Sequence, residues 1–411
     1  LEVYLDNHSG TKIDERVFEE MLPYLKEFYG NPQSMHSFGM KTKEAIEDAR
    51  KKVAELIGAE EDEIYFTSCG SESNNLALKG VAEAYRQKGK NIIVSEIEHF
   101  SVLYSAKRLS KSGFEITYLP VDKYGFVSPE DVRKAIRSDT ILVSIQYANP
   151  EIGTIQTIEE ISEICRKNNV LFHTDAVSAA GVIPVNVKKI GVDLLSLSAS
   201  QFYGPKGAAA LYVRKGVRVI PQIDGGIQER GLRSGTENVA GIVGLGKAAE
   251  IVKSELEENY KKMIFLRDKL ISEIPEKIEY VYLNGPLEKR LPNNVNFSFE
   301  FIEGESISLL LNSKGIFVTS GSACSSRALK ISHVLSAIKI EPAIAQGTIT
   351  LTLSKYNTIE EIEYFLKTIP EIVNELRNIS PLYSYFLKTG KRKIAGPGTD
   401  YEHSHEEEKQ F

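Results

Sequence analysis

Tryptophan is absent from this 411-residue chain, and cysteine nearly so. The three cysteines, Cys69, Cys165 and Cys324, are too few and too scattered for a disulfide framework. A reducing, cytoplasmic setting is therefore expected. No apolar run approaches the ~20 residues that span a bilayer. The opening LEVYLDNHSG carries acidic and polar residues where a signal peptide needs a basic and then an apolar segment. Leu1 in place of an initiator methionine reads as a trimmed chain. A net charge of −6 gives no general attraction to nucleic acid. What remains is a globular composition, 42% apolar and 26% charged, in a chain long enough for two cores. Abundant Lys, Glu and Ile without Trp hint at a thermophilic source.

Strand-length apolar runs alternate with helical patterns through the first 240 residues. Strands are expected over 64–67, 91–95, 140–145, 170–174 and 193–197. In KTKEAIEDARKKVAELIG, Ala45, Ala49, Val53 and Leu56 recur at helical spacing, with Gly58 as the stop. Such alternation predicts an α/β fold, a mostly parallel sheet covered on both faces. After a long charged helix over 239–266 the rhythm changes. Short strands near 279–283, 293–299 and 348–353 alternate with helices near 305–312 and 359–377, which predicts a second, smaller α/β domain. The expected division is 15–258 for the large domain, and 1–14 with 259–382 for the small one. Residues 383–411 are polar and charge-blocked and are expected to be disordered. His403 and His405 there suit a solvated tail better than a metal site. No internal repeat is present.

Ligands of open α/β sheets collect beyond the carboxyl ends of the strands, and four stretches fall there. TSCGSESNN, 67–75, ends a strand in small residues and opens a helix, a setting for an anion. A plain cap by Ser71 with Glu72 explains it equally well. Asp175 closes VLFHTD, either to meet a cation or to cap a turn. His99 in SEIEHFS suits stacking on a ligand as well as a structural role. The fourth is SLSASQFYGPKG, 196–207, a strand running into a Gly-Pro-Lys-Gly turn. Separately, SGSACSS, 320–326, presents Cys324 among Gly, Ala and Ser, which reads as a mobile loop bearing a thiol, with Arg327 nearby to favour the thiolate. Cys165 is read as core, and Cys69 as a small residue in the anion loop.

Taken together, GNPQSMHSFG, LPNNVNFSF, GSACSS and GGIQERGLRSGTENVAG make residues 3–382 resemble the cysteine desulfurases of the NifS/IscS type, pyridoxal-phosphate (PLP) enzymes of the class V aminotransferase group. The resemblance implies a three-layer large domain, a homodimer with sites near the subunit interface, and a lysine-bound PLP that acts on L-cysteine. A mobile cysteine would take the sulfur as a persulfide, leave alanine, and pass the sulfur on, often to an iron–sulfur scaffold protein. By the same resemblance Gly70, Ser71 and Ser198 contact the phosphate, and Thr236 reaches the neighbouring subunit's phosphate. His99 stacks on the pyridine, Asp175 holds its nitrogen protonated, and Cys324 receives the sulfur.

The departures surround the reacting atoms. The resemblance calls for Ser-Ala-His-Lys where the chain has Ser198-Ala199-Ser200-Gln201, and an amide can form no imine. Pro150, Ser178 and Thr350 stand where a side-chain donor, a glutamine and a carboxylate-clamping arginine are implied. Lys206, past Gly204-Pro205, is no obvious substitute for the lysine, while Lys355 or Arg327 could stand in for the clamp. The expectation is thus a desulfurase-like homodimer without lysine-linked PLP, inactive or nearly so on cysteine, with Cys324 as sulfur carrier or ligand of a transient iron–sulfur cluster. Two alternatives stand beside it: a working desulfurase with noncovalent PLP, and a regulatory or binding subunit without chemistry.

Overall fold

The computed structural model describes residues 1–320 and 331–392. Its larger sheet has seven strands. Their order is Ile64–Thr67, Ala209–Val213, Leu194–Ser198, Leu171–Asp175, Thr140–Ser144, Asn91–Ser95 and Glu115–Leu119. Only Ala209–Val213 runs against its neighbours; the rest are parallel. Successive side chains point to opposite faces. Ile92 and Val94 pack under helices Gly70–Tyr85 and Phe100–Lys111, whereas Ile93 faces the core shared with Ser37–Ile57 and Val239–Lys277. Both faces are thus covered, and the chain is an α/β protein with a mostly parallel sheet.

Gly58 stops the Ser37–Ile57 helix in the left-handed conformation, φ 70°. The Val239–Lys277 helix runs past the expected end, because Leu270 and Ile274 continue its buried stripe. At ~1.5 Å per residue its 39 residues extend about 58 Å, enough to reach from the large sheet to the small one. Gly246 lies against Ala49, where an added Cβ would sit 2.5 Å from backbone.

The smaller sheet is antiparallel, in the order Thr319–Ser320, Thr348–Thr352, Asn294–Phe299, Val281–Leu283. Val3–Tyr4 pairs in parallel with Ile316–Phe317, so the chain's start folds onto its C-terminal part.

Two strands of the larger sheet escape the sequence pattern, as do the two-residue strands Val3–Tyr4, Ile316–Phe317 and Thr319–Ser320. Glu115–Leu119 lies at the sheet's edge with Glu115 and Tyr118 exposed, and Ala209–Val213 opens on two alanines. The tail expected from 383 is corrected over its first residues. Pro381–Thr389 is a helix capped by Ser380, and its Phe386 packs on Tyr280 and Phe301 at centroid distances of 5.2 and 4.8 Å. The expectations for His403 and His405 lie outside the described residues.

Candidate active site

At the carboxyl ends of the parallel strands, two of the expected residues, Asp175 and His99, belong to one hydrogen-bonded chain. Asp175, at the end of Leu171–Asp175, is buried. Its Oδ2 accepts from Nδ2 of Asn74 at 2.6 Å, and its Oδ1 from the Val177 N–H at 3.0 Å. Asn74 also donates to Ser101 Oγ at 2.9 Å, and that hydroxyl lies 2.7 Å from Nδ1 of His99. Asn74 is on the first turns of Gly70–Tyr85 and His99 caps Phe100–Lys111. Two helix starts are thereby braced against one strand end. Burial pushes the Asp175 carboxyl up from the usual range, against the Val177 N–H, the nearby His99 ring and Asn74, which favour its charge. A buried carboxyl with only neutral hydrogen-bond donors suits a protonated ring nitrogen as counter-charge.

Gly70 opens the 16-residue Gly70–Tyr85 helix, and a Cβ there would come 2.6 Å from Cγ2 of Val177. Ser68 donates through N and Oγ to Glu72, and Glu72 meets Arg233 at 2.9 Å. The turn thus leaves Ser71 exposed beside the helix N-terminus, a setting for an anion. Buried Ser198 has its Oγ 3.2 Å from Ser200 Oγ. Thr236 is exposed on the stretch between Arg233 and the Asn238 cap of the long helix. Cys324 and Arg327 lie outside the described residues. Cys69 is exposed at the helix cap, whereas Cys165 is core, its thiol pushed up to about 12 by burial.

The turn after the neighbouring strand is different. Gln201, on the short turn Ala199–Gln201, donates from Nε2 to the His8 carbonyl at 2.8 Å. Thr350 belongs to a buried polar ladder and accepts from Asn296 Nδ2 at 2.7 Å. Lys355 is no spare clamp. Its ammonium pairs with Asp14 at 2.6 Å and Glu255 at 2.8 Å, with the side chain 9% exposed. That pairing corrects the expectation for Lys355. The Pro150 carbonyl accepts from Asn294.

Sequence reasoning missed several members of this site. His8 lies in an irregular polar segment with no periodic signal. Protein crowding around its ring, with the His99 charge, pushes its pKa down to about 4, against Asp6 and Gln201, so it is neutral near pH 7. His333 packs on Phe100, the rings tilted by 41° with centroids 4.7 Å apart, and hydrogen-bonds the Glu98 carbonyl at 2.9 Å. Glu98 is buried and Glu151 half-buried, and crowding by protein pushes their carboxyls up to about 8 and about 7. Asn74 stands inside a stretch singled out for its small residues, and its spacing from Gly70 was the available signal.

The braced Asp175, the exposed start of the Gly70–Tyr85 helix and the Gln201 turn thus lie together at the carboxyl end of the sheet. Residues 3–365 match the class-V aminotransferase family, and the chain belongs to it. Within that family it is a homologue of cysteine desulfurases. It is 55% identical to cysteine desulfurase IscS of Dictyoglomus turgidum, covering 95% of this chain and 99% of the relative. Against cysteine desulfurase IscS of Methanosarcina thermophila the identity is 55%, over 92% and 94%. A solved NifS-like protein superposes with a TM-score of 0.87 at 46% identity, covering 92% of this chain and all of that one. Among the described residues no helix is long and apolar enough to cross a membrane.

Proposed function

We propose that this chain is a cysteine desulfurase that takes sulfur from L-cysteine, leaving alanine, with PLP held noncovalently and Cys324 as the sulfur acceptor. Full-length similarity to cysteine desulfurases supports the activity. The single observation that carries the coenzyme reading is Asp175, buried and braced through Asn74 and Ser101 to His99.

The donor set fits the coenzyme except at its anchor. Asp175 would hold the ring nitrogen and His99 would cover the ring. Gly70, Ser71 and Ser198 would hold the phosphate at the helix N-terminus. When bound, the coenzyme supplies an electron sink beside the α-carbon. Gln201 can offer no nucleophilic nitrogen, so affinity rests on these contacts alone. Overall, an enzyme thiol and L-cysteine become a persulfide and alanine, which balances without an external oxidant. The persulfide would then pass to an acceptor such as an iron–sulfur scaffold protein, with Cys324 as a candidate ligand of a transient cluster.

A homodimer completes this reading. Leu25, Tyr29, Met35, Phe38 and Met40 are exposed, as are Ile223 and Ile227 on the stretch leading to Thr236. Gln33 ties the two regions together through Glu237 at 2.9 Å. A second copy covering this face would place Thr236 near its phosphate.

A second reading, sulfur carriage by Cys324 with little or no desulfuration, is favoured by the pairing of Lys355 and the burial of Thr350, which leave neither as a cation for the substrate carboxylate. Purified protein with added PLP should show the coenzyme's absorbance after gel filtration and release alanine from L-cysteine, with no coenzyme attached after borohydride reduction. Cys324→Ser should abolish sulfur transfer. Bound PLP without alanine selects the second reading, and an unchanged Cys324→Ser variant overturns both.

A further inference from the structure

The stretch that carries Thr236 begins with an unusual turn. Glu229, Arg230 and Gly231 stand one after another in the left-handed region, at φ 45°, 55° and 80°. Residues with a side chain, as Glu229 and Arg230 are, rarely adopt that conformation and keep it only where their surroundings over-determine it. The surroundings here are the edge strand Ile64–Thr67 and the helix Ser37–Ile57. Both oxygens of the Glu229 carboxylate accept from the Arg50 guanidinium, at 2.8 and 2.9 Å, and one also accepts from the Phe66 N–H at 2.8 Å. Both residues are buried. Arg50 and Arg230 share the Ile64 carbonyl, at 2.8 and 2.6 Å, and Arg230 lies 4.3 Å over the Tyr65 ring.

A charge pair removed from water is weak evidence for stability, because desolvation offsets its attraction. What it does fix is direction, since a two-point contact sets the plane and position of both groups. From the pinned turn the chain runs through Arg233, held to Glu72 near the start of the Gly70–Tyr85 helix, to exposed Thr236. Ser234 Oγ donates to the Gly226 carbonyl at 2.7 Å and the Gly235 N–H to the Gln228 side chain at 3.1 Å, so this length is closed on itself. We propose that Arg50 and Glu229 are positioning residues that act across the dimer, fixing the turn from which Thr236 reaches the phosphate of coenzyme bound to the second copy. The inference rests on the coenzyme and homodimer readings above.

The test is PLP binding to full-length dimers, read by absorbance titration and independent of turnover. Glu229→Gln keeps the shape and loses the charge. Its PLP affinity should fall about tenfold while pyridoxal affinity stays within about threefold, as a contact made only to the phosphate requires. Differently tagged subunits then separate action within a subunit from action across the interface. A mixed dimer of Asp175→Asn with Glu229→Gln subunits should regain one site of wild-type affinity, because the Glu229→Gln subunit keeps its Asp175 and borrows an intact turn. A dimer of wild type with an Asp175→Asn/Glu229→Gln double variant should hold no such site. A mixed dimer without the regained site, or an unchanged Glu229→Gln homodimer, overturns this inference alone. Where Glu229→Gln does not fold, Arg50→Lys, which keeps the charge and loses the two-point contact, takes its place. Failure of both to fold also overturns the inference. Wild-type protein that binds no PLP, or is a monomer in solution, overturns it together with the reading on which it rests.

Discussion

Asp175 and Gln201 belong to neighbouring strands of one sheet, Asp175 closing its strand and Gln201 three residues beyond the end of the next at Ser198. Around Asp175 the bond to Asn74 ties the strand end to a helix, and Asn74, Ser101 and His99 support each other across two helix starts. Around Gln201 the contacts run to the irregular N-terminal segment, through His8 and through Thr11, whose N–H donates to the Ser200 carbonyl. A change in the first wall breaks a cooperative network. A change in the second is absorbed by one side-chain hydrogen bond. In the proposed reading, gripping a ligand and bonding to it fall to separate parts, and a fold can keep one while altering the other.

The sharpest way to break that contrast is at Asp175. Asp175→Asn removes the charge that would meet a protonated ring nitrogen inside a buried site. PLP affinity should fall about 100-fold, ~2.7 kcal/mol, measured by absorbance titration. Loss of less than threefold would mean that the braced wall does not hold the ring.

A smaller effect is expected at the phosphate end. Gly70→Ala puts a methyl 2.6 Å from Val177 and shifts the first helical turn. The preference for PLP over pyridoxal should drop about tenfold, ~1.4 kcal/mol. An equal loss for both ligands would place the effect on the ring and not the phosphate.

The braced wall was legible in the sequence because it follows the strand ends. Thr67, Asp175 and Ser198 close strands whose apolar runs announce them, and ligand sites of such sheets lie there. The other wall was legible only as a list of departures. Nothing along the chain connects His8 to Gln201 across 193 residues, and no pattern shows that Lys355 already serves Asp14 and Glu255. Sequence periodicity reports which face is buried, whereas a polar side chain's partner is fixed by tertiary packing. For the same reason Ala209–Val213 was missed, since small residues buried on both faces carry little apolar signal.

The last contrast is in what the braced wall costs. Behind His99, the Glu98 carboxyl accepts through Oε1 from Ser95 Oγ at 2.5 Å and from the Gln146 N–H at 2.8 Å. Its Oε2 is buried without a hydrogen-bond partner among the described residues. Burial raises its pKa to about 8, against these two hydrogen bonds, with the charge of Asp175 raising it further. The folded protein therefore holds a proton at Glu98 that the unfolded chain, with an ordinary carboxyl, has released. Folding stability from this group is fully present below the unfolded pKa and falls as pH rises toward 8, by up to about 1.4 kcal/mol per pH unit. Glu98→Gln keeps the shape without the titration. Its urea midpoint, matched to wild type near pH 5, should exceed wild type progressively by pH 8, while the contribution of Glu151 remains in both proteins. A constant difference between the two proteins across that range would place the Glu98 proton elsewhere, and the braced wall would then be free of this cost.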